Sequence, residues 1–313
     1  MKKVLVTGGA GFIGSHIVEE LIQKEFQVIV IDNFSTGRNE NIENLPIELY
    51  HYDITNPNVV DLIVSLNPDY IIHQAAQVSV AESVNNPLYD ENINVKGSLY
   101  IIDAAIKANV KKIVFASSAA VYGNPVQLPV SIKHPTSPES PYGLTKLTVE
   151  HYLKLANSIH GLSYSILRYS NVYGPRQDAK GEGGVVAIFS DRLTDNVSPT
   201  IYGDGEQTRD FIYVKDVAAA NVKALMVNEN ICVHVSSGTT ISINALFQMM
   251  KEAAGSNVQP IYKQVRQGDI RDSILSNDLS KSLLNWEPTF ELYQGLKETI
   301  QYSLKNKQIP ILK

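Results

Sequence analysis

The sequence predicts an α/β protein: a Rossmann-like, doubly wound parallel sheet with a second, smaller α/β unit. Three observations lead there. The first 37 residues run strand, glycine loop, helix, strand, acid. Up to Tyr169, short apolar runs keep alternating with helix-like segments, the pattern of strands joined by crossover helices. Beyond Tyr173 that rhythm breaks at Gly174-Pro175-Arg176 and at the glycine stretch GEGG, residues 181–184.

The opening unit justifies itself residue by residue. Lys2 to Thr7 is a short apolar strand, and Gly8-Gly9-Ala10-Gly11-Phe12-Ile13-Gly14 follows it. SHIVEELIQK then continues Ile13, Ile17 and Leu21 at helical spacing, and the run Gln27 to Ile31 ends in Asp32. Gly8 allows the tight turn, Gly11 lets the backbone approach a pyrophosphate, and Gly14 lets the helix pack closely. The helix N-terminus offers unpaired N–H groups and partial positive charge to phosphates. Asp32 is placed to accept hydrogen bonds from ribose hydroxyls and to repel a 2′-phosphate, which favours NAD over NADP. Arg38, the one basic residue in reach, is expected in the solvated loop NFSTGRNEN.

Further strands are expected at Ile47 to Tyr52 (ending at Asp53), Tyr70 to Gln74, Lys111 to Ala116 and Ser163 to Tyr169, and helices at Pro57 to Leu66 and, as one long helix, Pro87 to Ala108. A proline-rich loop runs to Ser140, which caps a helix opened by Pro141. In the remainder, a helix at Val185 to Leu193, strands near Thr200 to Tyr202 and Phe211 to Val214, and a helix at Lys215 to Val227 are expected. Ile231 to Val235 reads as a strand returning to the main sheet. This divides the chain into a cofactor-binding domain, 1–173 rejoined by about 211–236, and a substrate domain, 174–210 with 237–313. Ligands of such sheets bind at the carboxyl ends of the strands.

Composition narrows the function classes. The 313 residues are 44% apolar and 19% charged, with net charge −5, which offers no basic footprint for nucleic acid. The single cysteine, Cys232, excludes an intramolecular disulfide framework and lies in the apolar run ICVHV, where a buried, inert thiol is expected. Glycines interrupt the apolar N-terminal run, unlike a signal peptide. No run approaches the roughly 20 apolar residues of a membrane span, so a cytoplasmic protein is expected. No residue pattern calls for a metal.

Two further stretches carry chemistry. Tyr142 and Lys146 are four apart on one helix face. An ammonium there would stabilise a tyrosinate and bring a phenol within reach of general-base work. Ser117-Ser118 ends the fifth strand, where a hydroxyl beside Tyr142 would meet a substrate hydroxyl.

Taken together, TGGAGFIG, Asp53-Ile54, HQAA, Asn94-Val95, SSAAVYG, PYGLTK, RYSNVYGPRQ, YGDGEQTRDFIYV and RQGDIRDS resemble the extended short-chain dehydrogenase/reductases. Within them the similarity is to the UDP-glucose 4-epimerases and their nearest relatives, over nearly the whole chain. The resemblance implies a tightly held NAD and a UDP-hexose. A tyrosine takes the proton of the sugar 4-OH, hydride passes from C4 to the nicotinamide, and the 4-keto sugar rotates and takes the hydride back on its other face. Tyr142 would be the base, Lys146 its electrostatic partner, and Ser118 the hydroxyl that shuttles or orients the proton.

The same resemblance matches Gly8, Gly11, Phe12 and Ile13 to the cofactor loop, and Asp32, Asn33, Ser35, Thr36, Gly37, Asp53 and Ile54 to the adenosine end. Gln74, Ala75, Ala76, Gln77, Asn94, Tyr142, Lys146, Tyr169 and Val172 match the remaining cofactor contacts. Substrate contacts fall on Ser118, Tyr142, Asn171, Val186, Tyr202, Arg209, Arg266, Asp269 and Ser273. Two arginines on a diphosphate suit the guanidinium fork. A homodimer joined by the helices near 90–108 and 141–158 is also implied.

Departures from neighbouring classes sharpen the expectation. Related dehydratases and decarboxylases carry an acid where this chain has Ala119 and Ala120. Some galactose-pathway epimerases carry a lysine where Val78 stands. Ser273, small where an aromatic would close the pocket, leaves room for an N-acetyl group and implies UDP-GlcNAc/UDP-GalNAc acceptance beside UDP-glucose/UDP-galactose. UDP-N-acetylglucosamine or UDP-glucuronate as the main substrate is the nearest alternative. A non-catalytic NAD-sensing module is the alternative of another class, and it would be free to lose Ser118, Tyr142 or Lys146.

Overall fold

The computed structural model of the protein describes residues 1–179, 184–265 and 270–308. Its centre is a seven-stranded sheet of β1 (Lys3–Thr7), β2 (Gln27–Asp32), β3 (Ile47–His51), β4 (Tyr70–His73), β5 (Lys112–Ser118), β6 (Tyr164–Tyr169) and β11 (Ile231–Val235). The order is β11-β6-β5-β4-β1-β2-β3, and every neighbouring pair is parallel. Parallel strands buried on both faces must be apolar throughout. Alternate residues therefore feed two cores. Val4, Val6, Val28, Val30, Ile72, Val114, Leu167 and Val233 join one, with α1 (Phe12–Gln23) and α8 (Val214–Met226). Leu5, Ile29, Ile31, Ile71, Ile113, Phe115 and Ile166 join the other, with α2 (Val59–Leu66), α5 (Ser98–Lys107) and α6 (Pro141–His160).

The segment expected as one helix over 87–108 is interrupted. α3 (Val80–Asn85) and α4 (Pro87–Glu91) precede a π-helical stretch, Asn92–Gly97, before α5 begins. The wider turn accompanies contacts the apolar periodicity does not encode: the Asn94 amide faces the chain after β4, and Gly97 packs so closely on Ile54 that a Cβ would meet Ile54 Cδ1 at 2.8 Å. Elsewhere the expected elements lie within a few residues of their places. Ser140 caps α6 by accepting from Gly143 N–H at 3.1 Å. Cys232 is half-buried rather than enclosed, and burial pushes its thiol up to about 11.

A third core lies apart from the sheet. It gathers Phe189 and Leu193 of α7 (Val185–Thr194), Ile201 of β8 (Thr200–Tyr202), Leu246, Phe247 and Met250 of α9 (Ile243–Ala254), and Leu296 and Ile300 of α11 (Leu292–Gln308). Small pairings frame it. β7 (Asn171–Tyr173) runs parallel with β10 (Phe211–Tyr213), β8 with β13 (Ile261–Lys263), and β9 (Thr208–Arg209) antiparallel with β12 (Ile241–Ser242). α10 (Asp278–Leu284) packs back beside β11. Among the described residues no helix is long and apolar enough to cross a membrane.

Candidate active site

The glycine loop closes as its spacing demands. Gly8 has φ +70, and a Cβ on it would meet Ala75 N at 2.7 Å. A Cβ on Gly14 would collide with the Gly8 carbonyl, so Gly14 serves the loop's own backbone rather than the strand. Gly11 stands before the first turn of α1, with Phe12 and Ile13 in that turn. Asp32 accepts from Ala10 N–H (2.9 Å) and Phe34 N–H (2.8 Å), pinning the β2 end to the loop. Gly37 passes so near that a Cβ would meet Asp32 Oδ1 at 2.8 Å. Asn33 donates to Asp53 Oδ2 (2.8 Å) and accepts from Ser35 N–H, while Thr36 is exposed beside them. A cleft of about 440 Å³ opens here along Asn33, His51, Tyr52, Asp53 and Asn56. Arg38 is exposed and 3.4 Å from Asp178, as expected for the solvated loop.

The β4 end supplies a second wall. Ala75 N–H reaches Thr7 Oγ1 (3.3 Å), and Gln74 bonds the hydroxyl of buried Tyr169 (3.0 Å). Gln77 and Asn94 pair reciprocally: Gln77 N–H donates to Asn94 Oδ1 (2.8 Å), and Asn94 Nδ2 to the Gln77 carbonyl (2.9 Å). These walls fit a dinucleotide. Glycines stand where the loop has no room for a Cβ, the loop leads directly into the N-terminus of α1, and polar groups line the cleft at the β2 end.

The third wall is α6 against the tip of β5. Lys146 is buried, and its Nζ donates to the Ala116 carbonyl (3.0 Å) and lies 5.1 Å from the Phe115 ring centroid. Its Nζ is 5.8 Å from the centroid of the Tyr142 ring. Burial carries the Lys146 ammonium down to about 8, against a smaller upward pull from Asp90. Burial, with help from Asp90, pushes the Tyr142 phenol up to about 12, against a smaller downward pull from the Ser118 hydroxyl. The expected lowering of Tyr142 is thus reversed: desolvation penalises the phenolate more than the Ser118 hydroxyl favours it.

On the substrate side, Asn171 donates from its amide to the Asp210 carbonyl (3.0 Å), and Val172 is next to it in β7. Ser273 N–H reaches the Thr208 carbonyl (3.2 Å), which places Ser273 beside Arg209, whose Nη1 bonds the Thr208 and Arg271 carbonyls. Val186 is buried in the third core, and Tyr202 ends β8, half-buried. Arg266 and Asp269 lie outside the described residues.

Several residues here were not named as site residues by the sequence. His73 stands in HQAA, and its ring bonds Thr7 Oγ1 (2.6 Å) and Ser98 Oγ (2.8 Å). Glu150 is a turn beyond Lys146. It accepts from Ser117 Oγ (2.6 Å) and pairs with Arg168 through Nε (2.8 Å) and Nη2 (2.5 Å), entirely buried. Arg168 also donates to Tyr122 OH (2.7 Å), which meets His234 Nε2 at 2.6 Å. The spacing 142, 146, 150 was the available signal for Glu150.

Residues 4–234 match the NAD dependent epimerase/dehydratase family. The chain belongs to that family. It is 46% identical over 306 residues to the putative UDP-glucose 4-epimerase of Methanocaldococcus jannaschii, covering 97% of this chain and 99% of that protein. It resembles the crystal structure of UDP-glucose 4-epimerase from Thermotoga maritima with UDP-glucose, with TM-score 0.95 and 43% identity, over 98% of this chain and 100% of that one. It also resembles the UDP-N-acetylglucosamine 4-epimerase of Methanobrevibacter ruminantium in complex with UDP-N-acetylmuramic acid, with TM-score 0.93 and 36% identity, over 97% and 99% of the two chains. The Rossmann-type fold and the NAD dependence follow from that membership, and the isomerase class from it together with the 4-epimerase relatives.

The buried histidine carries a pH signature. Burial, and then Lys146, pushes His73 down from 6.5 to about 3. Between those values the unfolded chain takes up a proton that the folded chain refuses, so folding stability falls as pH drops through this window. Above 6.5 His73 has no such effect. His73→Gln is expected to remove about 2 kcal/mol of the stability lost between about pH 7 and about pH 5, at roughly 1.4 kcal/mol per unit. Urea unfolding at both pH values checks this; equal losses in the two proteins would mean that His73 is protonated in the fold.

Proposed function

We propose that this chain is a UDP-hexose 4-epimerase acting on UDP-glucose and UDP-galactose, and on their N-acetylated counterparts as well. The single observation that carries the reading is that Tyr142 and Lys146 of α6 meet the tip of β5 together: Ser118 acts on the Tyr142 phenol, and Lys146, a turn away with its Nζ 5.8 Å from the Tyr142 ring centroid, is anchored on the Ala116 carbonyl. The three side chains converge at the β5 tip, where the glycine loop, the Gln74–Gln77 segment and Asn171 also open. The relatives' UDP-glucose and UDP-N-acetylglucosamine activities support the sugar class.

In this reading Gly8, Gly11, Phe12, Ile13, Asp32, Asn33, Ser35, Thr36, Gly37, Asp53, Ile54, Gln74, Ala75, Ala76, Gln77, Asn94, Tyr169 and Val172 hold NAD, with Lys146. When bound, NAD supplies the hydride acceptor and donor for C4. Tyr142 takes the sugar 4-OH proton and later returns it, Ser118 orients that hydroxyl, and Lys146 anchors the turn that carries Tyr142. Asn171, Val186, Tyr202, Arg209, Arg266, Asp269 and Ser273 hold the nucleotide sugar. Ala119 and Ala120 offer no acid for elimination.

The division into a cofactor domain, 1–173 with 211–236, and a substrate domain, 174–210 with 237–313, is supported by the separate third core, although Tyr173, Phe211 and Tyr213 at the border pack into that core. A homodimer is supported by an exposed apolar stripe. Leu144, Tyr152, Leu155 and Ile159 lie along one side of α6, with Leu88 and Tyr89 on the adjacent α4. Solvent-facing apolar area of this kind marks an interface. Four of these six residues are on α6 and two on α4. A cytoplasmic location accords with this substrate class.

Each sugar should be incubated with the purified protein and no added cofactor, and its C4 epimer followed by NMR. The wild type is expected to turn over UDP-glucose and UDP-N-acetylglucosamine. Tyr142→Phe should lose roughly 10²–10⁴-fold of both, and Ser273→Tyr should lose the N-acetylated sugar while largely sparing UDP-glucose. Near-normal turnover in Tyr142→Phe contradicts the base assignment, and equal loss of both sugars in Ser273→Tyr contradicts the gate. Sedimentation should show a dimer that Ile159→Glu weakens; a monomeric wild type contradicts the interface.

A further inference from the structure

Asp90 is a fully buried carboxylate on α4 whose hydrogen-bond donors are all neutral. Gln77 Nε2 donates to Oδ1 at 2.7 Å, Asn94 Nδ2 to Oδ1 at 3.0 Å, and Thr145 Oγ1 to Oδ2 at 2.9 Å. Burial pushes this carboxyl up, while Lys146 pulls it down through space. Asp90 touches neither the glycine loop nor the Ser118–Tyr142 pair. Its partners come from two segments: Gln77 follows β4 and pairs with Asn94, and Thr145 lies between Tyr142 and Lys146 on α6.

We propose that Asp90 is a positioning residue for the epimerase site, locking the Gln77–Asn94 pair to Thr145 and so fixing the Tyr142–Lys146 turn against the cofactor cleft. The inference rests on the functional reading above. The chemistry of the junction favours an acceptor with two oxygens. Three buried donors converge on one carboxylate, and removing it leaves Gln77 Nε2 with the Ser79 carbonyl alone (2.9 Å) and Asn94 Nδ2 with the Gln77 carbonyl (2.9 Å), so one N–H of each amide loses its acceptor in a buried junction. Those donors would then reorient, and the first to move would be the Asn94 amide and the Thr145 hydroxyl. The latter has a second acceptor ready in the Tyr142 carbonyl at 3.0 Å. A shift of this size next to reacting groups reduces turnover more than substrate affinity.

An asparagine separates hydrogen bonding from charge. Its Oδ1 takes the Gln77 and Asn94 donors, and its Nδ2 donates to Thr145 Oγ1, whose proton turns to the Tyr142 carbonyl. Asp90→Asn therefore keeps the junction, whereas Asp90→Ala opens it. The test uses the full-length protein, with NAD content after purification, kcat and KM for UDP-glucose, and a thermal melt to show that each variant is folded. Asp90→Ala is expected to emerge with less than about half the wild-type NAD and with kcat down by up to about 100-fold at nearly unchanged KM. Asp90→Asn should recover most of both. Thr145→Val, which keeps shape and removes one donor, should lose kcat in the same direction and serves if Asp90→Ala does not fold. The proposal is overturned if folded Asp90→Ala keeps wild-type NAD and kcat, or if Asp90→Asn is as impaired as Asp90→Ala. A wild type without epimerase activity overturns the functional reading instead, and the NAD content of the variants then still reads the role of Asp90.

Discussion

The site depends on how α6 seats on the tip of β5. Three consecutive strand residues are each held by a different turn of that helix. The Ala116 carbonyl takes the Lys146 ammonium, the Ser117 hydroxyl donates to Glu150, and Ser118 meets Tyr142. A strand tip gripped at three successive positions cannot slide by one residue without breaking all three contacts. Arg168 from β6 makes the grip tolerable: a carboxylate as buried as Glu150 would be costly unless paired, and the guanidinium meets both of its oxygens. Through Tyr122 and His234 the same arginine carries the arrangement on to β11.

Seating also decides the electrostatics. Burial pushes Tyr142 up and Lys146 down to about 8, so near neutral pH the pair is a neutral phenol beside an ammonium that is easier than usual to deprotonate. Positive charge brought beside the phenol works against that direction. The helix therefore supplies geometry first: a hydroxyl, a phenol and an amine in fixed relation, two of them far from their ordinary titration ranges.

Most of the sheet was legible because both of its faces are covered, so strands appear as apolar runs punctuated by glycine and acids. Asp32, the glycine loop and the Tyr142–Lys146 pair were legible for the same kind of reason, each having a spacing set by backbone geometry. The π-helical turn at Asn92–Gly97 was not, since its cause is the docking of Asn94 and Gly97 on distant segments. Asp90 and Arg168 were likewise invisible, and Glu150 showed only in the 142, 146, 150 spacing. A charged residue inside a helix or strand reads as solvated until partners from other segments are placed around it. The shift of Tyr142 was misjudged because spacing shows the nearby lysine but not how much water the fold removes.

The central claim is that the C4 hydrogen of the sugar leaves and returns inside a closed site while Tyr142 handles only the hydroxyl proton. The most direct measurement uses UDP-glucose deuterated at C4, incubated with the protein in ordinary water, with deuterium followed in the UDP-galactose formed. The account requires the deuterium to remain at C4 of the product, undiluted by solvent hydrogen over many turnovers. Product carrying solvent hydrogen at C4 would mean that the carbon is deprotonated to water, and it would contradict the mechanism and the role given to Tyr142.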